Sequence, residues 1–325
     1  MNNIKNIQEL RQRNTQTFCF YGNHFTKEKI EIFLTKSNSI ASLYGLEFDR
    51  LLFTDKNTCQ SQHSKYSIKK LQKKFDNLEL FSIISAFRFW NGGWVDDFTT
   101  NCNIDRNYAL LTFADVNGNL SINECRYLLL ELAILLNSFY CIYFEIPYNV
   151  IPSCFSCGII SGEFYKYFLQ NSYENTIEKY HRFCMWSTGL KEKVYLRGVI
   201  RDVYQLNILC RPQAYFLFDG APFIDCVRHG KIEGNIEEIA PERFLWTVPK
   251  SEIPNVTEKC DKAGFIFTGD MKDVPGDILW EDPDVAEYHK KDAKRETNGK
   301  IIKKFVEATN NGESPDPYDF LKIFE

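Results

Sequence analysis

The residues best placed to do chemistry are two Cys/His pairs, Cys154-x-x-Cys157 and His181-x-x-Cys184. Soft ligands paired at two separated points can enclose a tetrahedral zinc ion. The second pair, however, sits in Tyr180-His-Arg-Phe-Cys-Met-Trp186, which reads as an aromatic core helix, and the first lacks flanking basic residues. Buried cysteine behaves as a small hydrophobe, so no metal and no other cofactor is expected. Calcium is a second possibility. Between Phe113 and Glu124, the residues Asp115, Asn117, Gly118, Leu120, Ser121 and Glu124 fall at places three, five, six, eight, nine and twelve of an EF-hand loop. Place one is Phe113, which cannot ligate, and the preceding residues read as a strand. A turn followed by a capping box accounts for the same residues without an ion.

Nucleophilic catalysis needs a thiolate beside a base. Cys210, Cys226 and His229 are close in sequence, but a histidine at a helix end more often complements the helix dipole. Asp96 and Asp97 point to opposite faces if they continue a strand, which excludes an acid/base dyad made of these two alone. No nucleophile elbow, glycine-rich phosphate loop or dinucleotide fingerprint is present. The chain therefore reads as a binding protein, not an enzyme. A cytoplasmic Cys/His enzyme and a zinc-bearing module are the alternatives.

Binding asks for less. In Phe89-Trp-Asn-Gly-Gly-Trp-Val-Asp-Asp-Phe98, Asn91-Gly92-Gly93 suits a tight hairpin turn. Trp90 and Trp94 can pack across such a hairpin, or they can serve with Asp96 and Asp97 as anchors for a partner. Arg201 and Asp202, at the end of an expected strand 195–203, complete the candidate partner-binding set.

The elements that position these residues follow from pattern. The 325 residues carry 39 basic and 43 acidic side chains, and 15% are aromatic. That describes a globule with a large core and no overall field to hold nucleic acid or an anionic membrane. The polar opening Met1-Asn-Asn-Ile-Lys lacks the apolar run of a signal peptide, and eleven cysteines are an odd number. A cytoplasmic protein with free thiols is expected.

The densest apolar stretch, Tyr108 to Tyr148, reads strand, turn, helix, strand. Ser121 and Glu124 cap the helix, which is apolar nearly all round and so should be covered on more than one side. If its two flanking strands join one sheet in parallel, the crossover should be right-handed. Residues 1–16 read as a polar arm, Thr26–Thr35 as a short capped helix, Ile40–Phe53 as a strand or hairpin, Lys56–Ser67 as a loop and Ser67–Phe75 as a basic helix. Leu80–Arg88 reads as a strand that turns back through the tryptophan hairpin. Beyond it come an aromatic helix-like region 163–186, strand 195–203 with a bulge or close approach at Gly198, and short helices near Pro212 and Pro222. Strand 243–248, a helix capped by Ser251 and strand 265–267 follow. The expected architecture is an α+β domain over 17–269, divisible into 17–150 and 151–269. In it helices cover a mixed β-sheet built from two strand–helix–strand units. Residues 270–325 read as a charged helical extension.

Leu196-Arg-Gly-Val-Ile-Arg-Asp-Val-Tyr-Gln-Leu-Asn-Ile-Leu209, Gly220-Ala-Pro-Phe223, Leu245-Trp-Thr-Val-Pro249 and Ala263-Gly-Phe-Ile-Phe267 resemble segments of bacterial immunity proteins from contact-dependent and type VI toxin systems. The resemblance covers about a quarter of the chain. It implies a cytoplasmic, non-catalytic protein whose partner is a cognate protein toxin.

Overall fold

The computed structural model describes residues 14–269, apart from 24, 44–46, 76, 90–95, 105–106, 115–119, 148–151 and 159–184, with backbone alone at 89, 96–98, 114, 153 and 154. The expected extension 270–325 and most of the aromatic region 163–186 lie outside these residues.

The middle of the sheet is β1 (Asn14–Tyr21), in a stretch where a polar arm was expected to end. Its residues alternate between two buried faces. Cys19 and Tyr21 enter one core with Tyr108, Leu110, Tyr140 and Ile142, while Phe18 and Phe20 enter a second with Leu111, Phe113, Cys141 and Tyr143. A strand buried on both sides must be apolar or internally bonded at nearly every position. Here the polar members bond inside: Thr15 Oγ1 donates to Ile146 O (2.9 Å), and Thr17 meets Thr112 (3.2 Å).

The other strands are β2 (Arg50–Asp55), β3 (Ser61–Lys65), β4 (Phe81–Phe89), β5 (Asp96–Asn103), β6 (Tyr108–Ala114), β7 (Tyr140–Pro147), β8 (Leu206–Cys210), β9 (Leu217–Phe218), β10 (Ala221–Pro222), β11 (Asn235–Ala240) and β12 (Arg243–Thr247). Ten of them form one sheet in the order β11-β12-β8-β7-β1-β6-β5-β4-β2-β3, with β9 and β10 as a separate ribbon. The fold is α+β. Every pairing of the large sheet is antiparallel, which corrects the expected mixed sheet. The parallel relation survives in another form: β6 and β7 both pair antiparallel with β1, so they run parallel to each other with β1 between them. The sheet also continues from 17–150 into 151–269 through β7 and β8, where Cys141 faces Ile208.

The helices are α1 (Lys27–Leu43), α2 (Ile68–Phe75), α3 (Ile122–Leu136), α4 (Pro152–Cys157), α5 (Arg211–Ala214), α6 (Phe223–Arg228) and α7 (Ile253–Lys262). Thr26 Oγ1 accepts from Lys29 N at 3.2 Å and starts α1, which then runs through Ile40–Leu43 where a strand was expected to begin. α3 has the full capping box: Glu124 N donates to Ser121 Oγ (3.3 Å) and Ser121 N donates to Glu124 Oε2 (2.7 Å). The same helix corrects the expectation of cover on several sides. Cys125, Leu128, Leu129, Leu132, Ala133 and Leu136 are buried, yet Tyr127 and Ile134 are 65% and 64% exposed. Lys36 of α1 bonds Glu131 on one flank and Glu237 of β11 bonds Arg126 on the other, so a stripe between the two ion pairs stays open.

In the C-terminal half, expected strand 195–203 is instead a 3-10 turn at Val194–Arg197 followed by a crossing segment, in which Ile200 bridges Ile266. Gly198 marks a close approach and not a bulge. Its φ is +97°, and a Cβ there would lie 3.0 Å from Pro212 O. The strand that joins the sheet is β8, a few residues later. The N-cap of α7 is Glu252, not the expected Ser251, and its side chain makes no capping bond; the expected strand 265–267 is reduced to the Ile266 bridge.

Candidate partner-binding surface

Strands β4 and β5 position the tryptophan hairpin. They pair from Ile83↔Asn103 to Phe89↔Asp96, with a register shift between Arg88 and Phe89. The two strands pair antiparallel as expected, while the expected tight turn at Asn91-Gly92-Gly93 lies in residues 90–95, outside the described residues. Trp90 and Trp94 lie in that connection, outside the described residues. Asp96 and Asp97 open β5, and only their backbone is described.

Arg201 is not at this surface. It is 5% exposed, and its guanidinium donates to Phe155 O, to Ser156 O (3.2 Å) and to Tyr21 OH (3.3 Å) while lying 4.6 Å over the Phe155 ring. This corrects its place in the partner-binding set, because a side chain held by carbonyls of α4 cannot also meet a partner. Burial works against its charge, but Tyr204, Tyr21 and Cys19 around it outweigh that, so the guanidinium stays protonated. The neighbouring Asp202 is half-buried, and its carboxylate accepts from Val203 N at 2.8 Å.

Around Arg201 lies an aromatic slab that pattern reading missed. Tyr140 stacks on Tyr21 and on Tyr195 (5.5 and 6.4 Å between centroids), and Trp186 stands edge-on to Tyr21 and Tyr140. Burial pushes the Tyr21 and Tyr140 hydroxyls well above the usual tyrosine range. The signal that could have found the slab is the run of tyrosines at matched register, Tyr21 opposite both Tyr108 and Tyr140.

Among the described residues, the candidate catalytic groups each bond elsewhere or lie buried. The Cys210 thiol is buried and pushed up to about 12 by that burial, Cys226 donates to Phe218 O (3.6 Å), and His229 is exposed with Nδ1 2.7 Å from Asp225 O at the end of α6. Of the zinc candidates, Cys157 is buried in α4, whereas the Cys154 side chain, His181 and Cys184 lie outside the described residues. Among the described residues no cluster of three metal-ligating side chains occurs. The calcium candidates resolve into strand and cap: Phe113 belongs to β6, Ser121 and Glu124 to the capping box, and 115–119 is not described.

Next to the hairpin strands, the face of the sheet that Cys19 and Tyr21 share mixes polar with apolar side chains: Leu52, Ile83 and Phe87 lie on it, and Ser85, Phe87, Asn103 and Thr112 are buried. On the side that Cys19 and Tyr21 face, cross-strand register places Thr112, Thr99, Asn101, Asn103 and Ser85 together, with Asn101 Nδ2 donating to Ser85 Oγ at 2.8 Å. The core on that side takes no residue from β2, β3, β4 or β5. The opposite side of the same strands is packed under α1 and α2, whose Ile30, Phe33, Leu34, Leu71 and Phe75 enter the second core.

No family model matches the sequence, and no curated protein matches it. Among solved structures, a Pseudomonas aeruginosa T6SS protein is a distant neighbour, 10% identical, aligned over 81% of this chain and 69% of its own with a TM-score of 0.38. Among the described residues, no helix is long and apolar enough to cross a membrane.

Proposed function

We propose that this protein is a cytoplasmic, non-catalytic immunity protein that binds and neutralises a cognate toxin, with the β4–β5 hairpin end as its contact. The observation that carries the reading is the hairpin itself. β4 and β5 pair as far as Phe89↔Asp96, and the sequence that joins them carries Trp90 and Trp94 within a few residues of Asp96 and Asp97. Aromatic anchors and charges in that arrangement suit a hot spot. Toxins that attack nucleic acid commonly have basic active-site surfaces, so opposite charge at the hairpin would raise both association rate and specificity.

The segments that resemble immunity proteins converge in space, which supports the same reading. Leu206–Leu209 and Leu245–Thr247 lie in adjacent strands, while Phe223 packs 4.4 Å from Phe265 and 4.8 Å from Trp246, centroid to centroid. The test is calorimetric titration with the toxin encoded beside the gene, together with rescue of toxin-expressing cells. The parent is expected to bind and protect, and Asp96→Lys with Asp97→Lys to weaken both while the fold survives. If the folded double variant performs as the parent does, the hairpin is structural; if the parent neither binds nor protects, the immunity reading fails.

A further inference from the structure

The two edges of the ten-stranded sheet are finished differently. Edge β11 is closed by its own chemistry: its register slips between Glu238 and Ala240, Glu237 is bonded to Arg126, and Glu238 accepts from Glu242 N at 3.4 Å. Edge β3 has no such closure among the described residues. Its register against β2 is regular from Arg50↔Lys65 to Thr54↔Ser61. At the two ends, Asp55 N donates to Gln60 O (2.9 Å) and Tyr66 N donates to Asp49 O (2.8 Å). The hydrogen-bonded pairs therefore fall at 49/66, 51/64, 53/62 and 55/60. By the alternation of an antiparallel ladder, Ser61, His63 and Lys65 turn their backbone N–H and C=O away from β2, along the free edge.

Exposed basic side chains flank this edge on both faces of the sheet, while Asp55 at the end of β2 is bonded to Asn57 and Thr58 within its own turn. Arg50 and Lys65 stand directly opposite each other on one face, both exposed. Like charges placed so are destabilising, and neither has a carboxylate partner among the described residues. His63 is on the same face, its ring edge-on to Phe87 at 6.2 Å. On the other face α2 is anchored by Leu71 and Phe75 and presents Lys69, Lys70 and Lys73 to solvent, likewise without an ion pair among the described residues. Lys74 is used internally, bonded to Gln62 at 3.1 Å and lying over Phe53 and Phe81.

We propose that the free edge of β3 is a docking edge for an acidic, extended segment of a partner protein, which adds to the sheet as a further strand. Main-chain hydrogen bonds to Ser61, His63 and Lys65 would supply affinity. Side chains of an added strand alternate between faces, so carboxylates on one face would meet Arg50 and Lys65, and those on the other the α2 lysines. The row of outward N–H and C=O groups selects a polypeptide over a nucleic acid or other polyanion, which could neutralise the lysines but could not continue the ladder. The same lysines keep an uncharged or basic strand from adding. The inference stands whether or not the partner is a toxin.

The probe is a fluorescein-labelled heptapeptide, Thr-Glu-Val-Glu-Thr-Glu-Val, titrated into the full chain at physiological salt. Its controls are a peptide with lysine in place of glutamate, one N-methylated at alternate backbone nitrogens, and heparin. The acidic peptide is expected to bind with millimolar or tighter affinity and to slow amide exchange at Ser61, His63 and Lys65. Arg50→Glu with Lys65→Glu, both exposed and so compatible with folding, should weaken it roughly tenfold or more. No binding by the acidic peptide, equal binding by the lysine peptide, or an unaffected charge-reversed protein overturns the proposal. Equal binding by the N-methylated peptide and heparin overturns it too, since that result describes a polyanion surface and not a strand edge.

Discussion

Gln16 gives the sharpest test of how this fold is held together. It sits in β1, 1% exposed, and its amide bonds the chain just before α3 at both ends: Nε2 donates to Leu120 O (3.0 Å) and to Tyr143 OH (2.9 Å), and Oε1 accepts from Leu120 N (2.8 Å). One side chain thus replaces the strand neighbour that Leu120 lacks. Gln16→Met keeps most of the volume but leaves the Leu120 N–H and C=O without those partners. An unsatisfied buried backbone group costs about 1–3 kcal/mol, so the pair should cost about 2–4 kcal/mol after partial relaxation. For a domain of this size that lowers the melting temperature by about 5–15 °C. Tyr143→Phe removes only one of the three bonds, along with the bond from Tyr143 OH to Glu145 Oε1 (2.8 Å), and should cost about 1 kcal/mol. Urea unfolding of both variants measures the cost, and amide exchange at Leu120 shows whether it arises there. A Gln16→Met protein within about 0.5 kcal/mol of the parent, the range of an ordinary surface change, would refute the reasoning.

Leu132→Ala empties a fully buried position of α3 and should cost about 2–5 kcal/mol in the same assay; an unchanged midpoint would mean that the helix does not lie on the sheet as described. The Glu124 carboxyl is held below its ordinary value by the Ser121 hydroxyl and N–H. Its capping contribution should therefore be present above the ordinary carboxylate value and be lost as pH falls through the lower folded one. Glu124→Gln should flatten that part of the acid unfolding profile, and an identical profile would contradict the assignment. Native thiol labelling should lose one fast equivalent in Cys59→Ser, because Cys59 is exposed while burial pushes the Cys19 and Cys210 thiols up to about 12 and the thiolate is the reactive form. An unaltered fast phase would exclude Cys59 as the reactive group.

Where local chemistry decides local structure, the sequence is readable. The capping box at Ser121, the hairpin between β4 and β5, the basic helix α2 and strand β12 are all set by residues within a few positions of one another. β1 escaped because Asn14, Thr15, Gln16 and Thr17 look solvent-facing until their partners, Ile146, Leu120, Tyr143 and Thr112, arrive from about a hundred residues away. β3 escaped for the opposite reason: Ser61-Gln-His-Ser-Lys65 is an edge strand that buries almost nothing, so it has no apolar alternation to detect. Arg201 shows the limit for sites. In Leu196-Arg-Gly-Val-Ile-Arg-Asp-Val203 a charge reads as surface, but the carbonyls of Phe155 and Ser156 give it a polar berth inside the protein, and nothing within its own segment announces them. Four of the six expected partner residues belong to the hairpin and one, Arg201, is in the core. The basic β3 edge emerges only from strand order, which sequence pattern does not give.

The position of β1 also constrains how the chain comes together in time. It is synthesised before both of its neighbours, since Tyr21 pairs with Tyr108 and Tyr140. At about 5–20 residues per second, roughly 5–20 s of elongation separates β1 from the earliest moment at which β6 can flank it. Throughout that interval a strand with two faces destined for burial has neither of the neighbours it will end between. Such a segment is a target for holdase chaperones and for mispairing with another nascent copy, so the soluble yield of this protein should depend more on elongation rate and chaperone supply than the stability of its finished sheet would suggest.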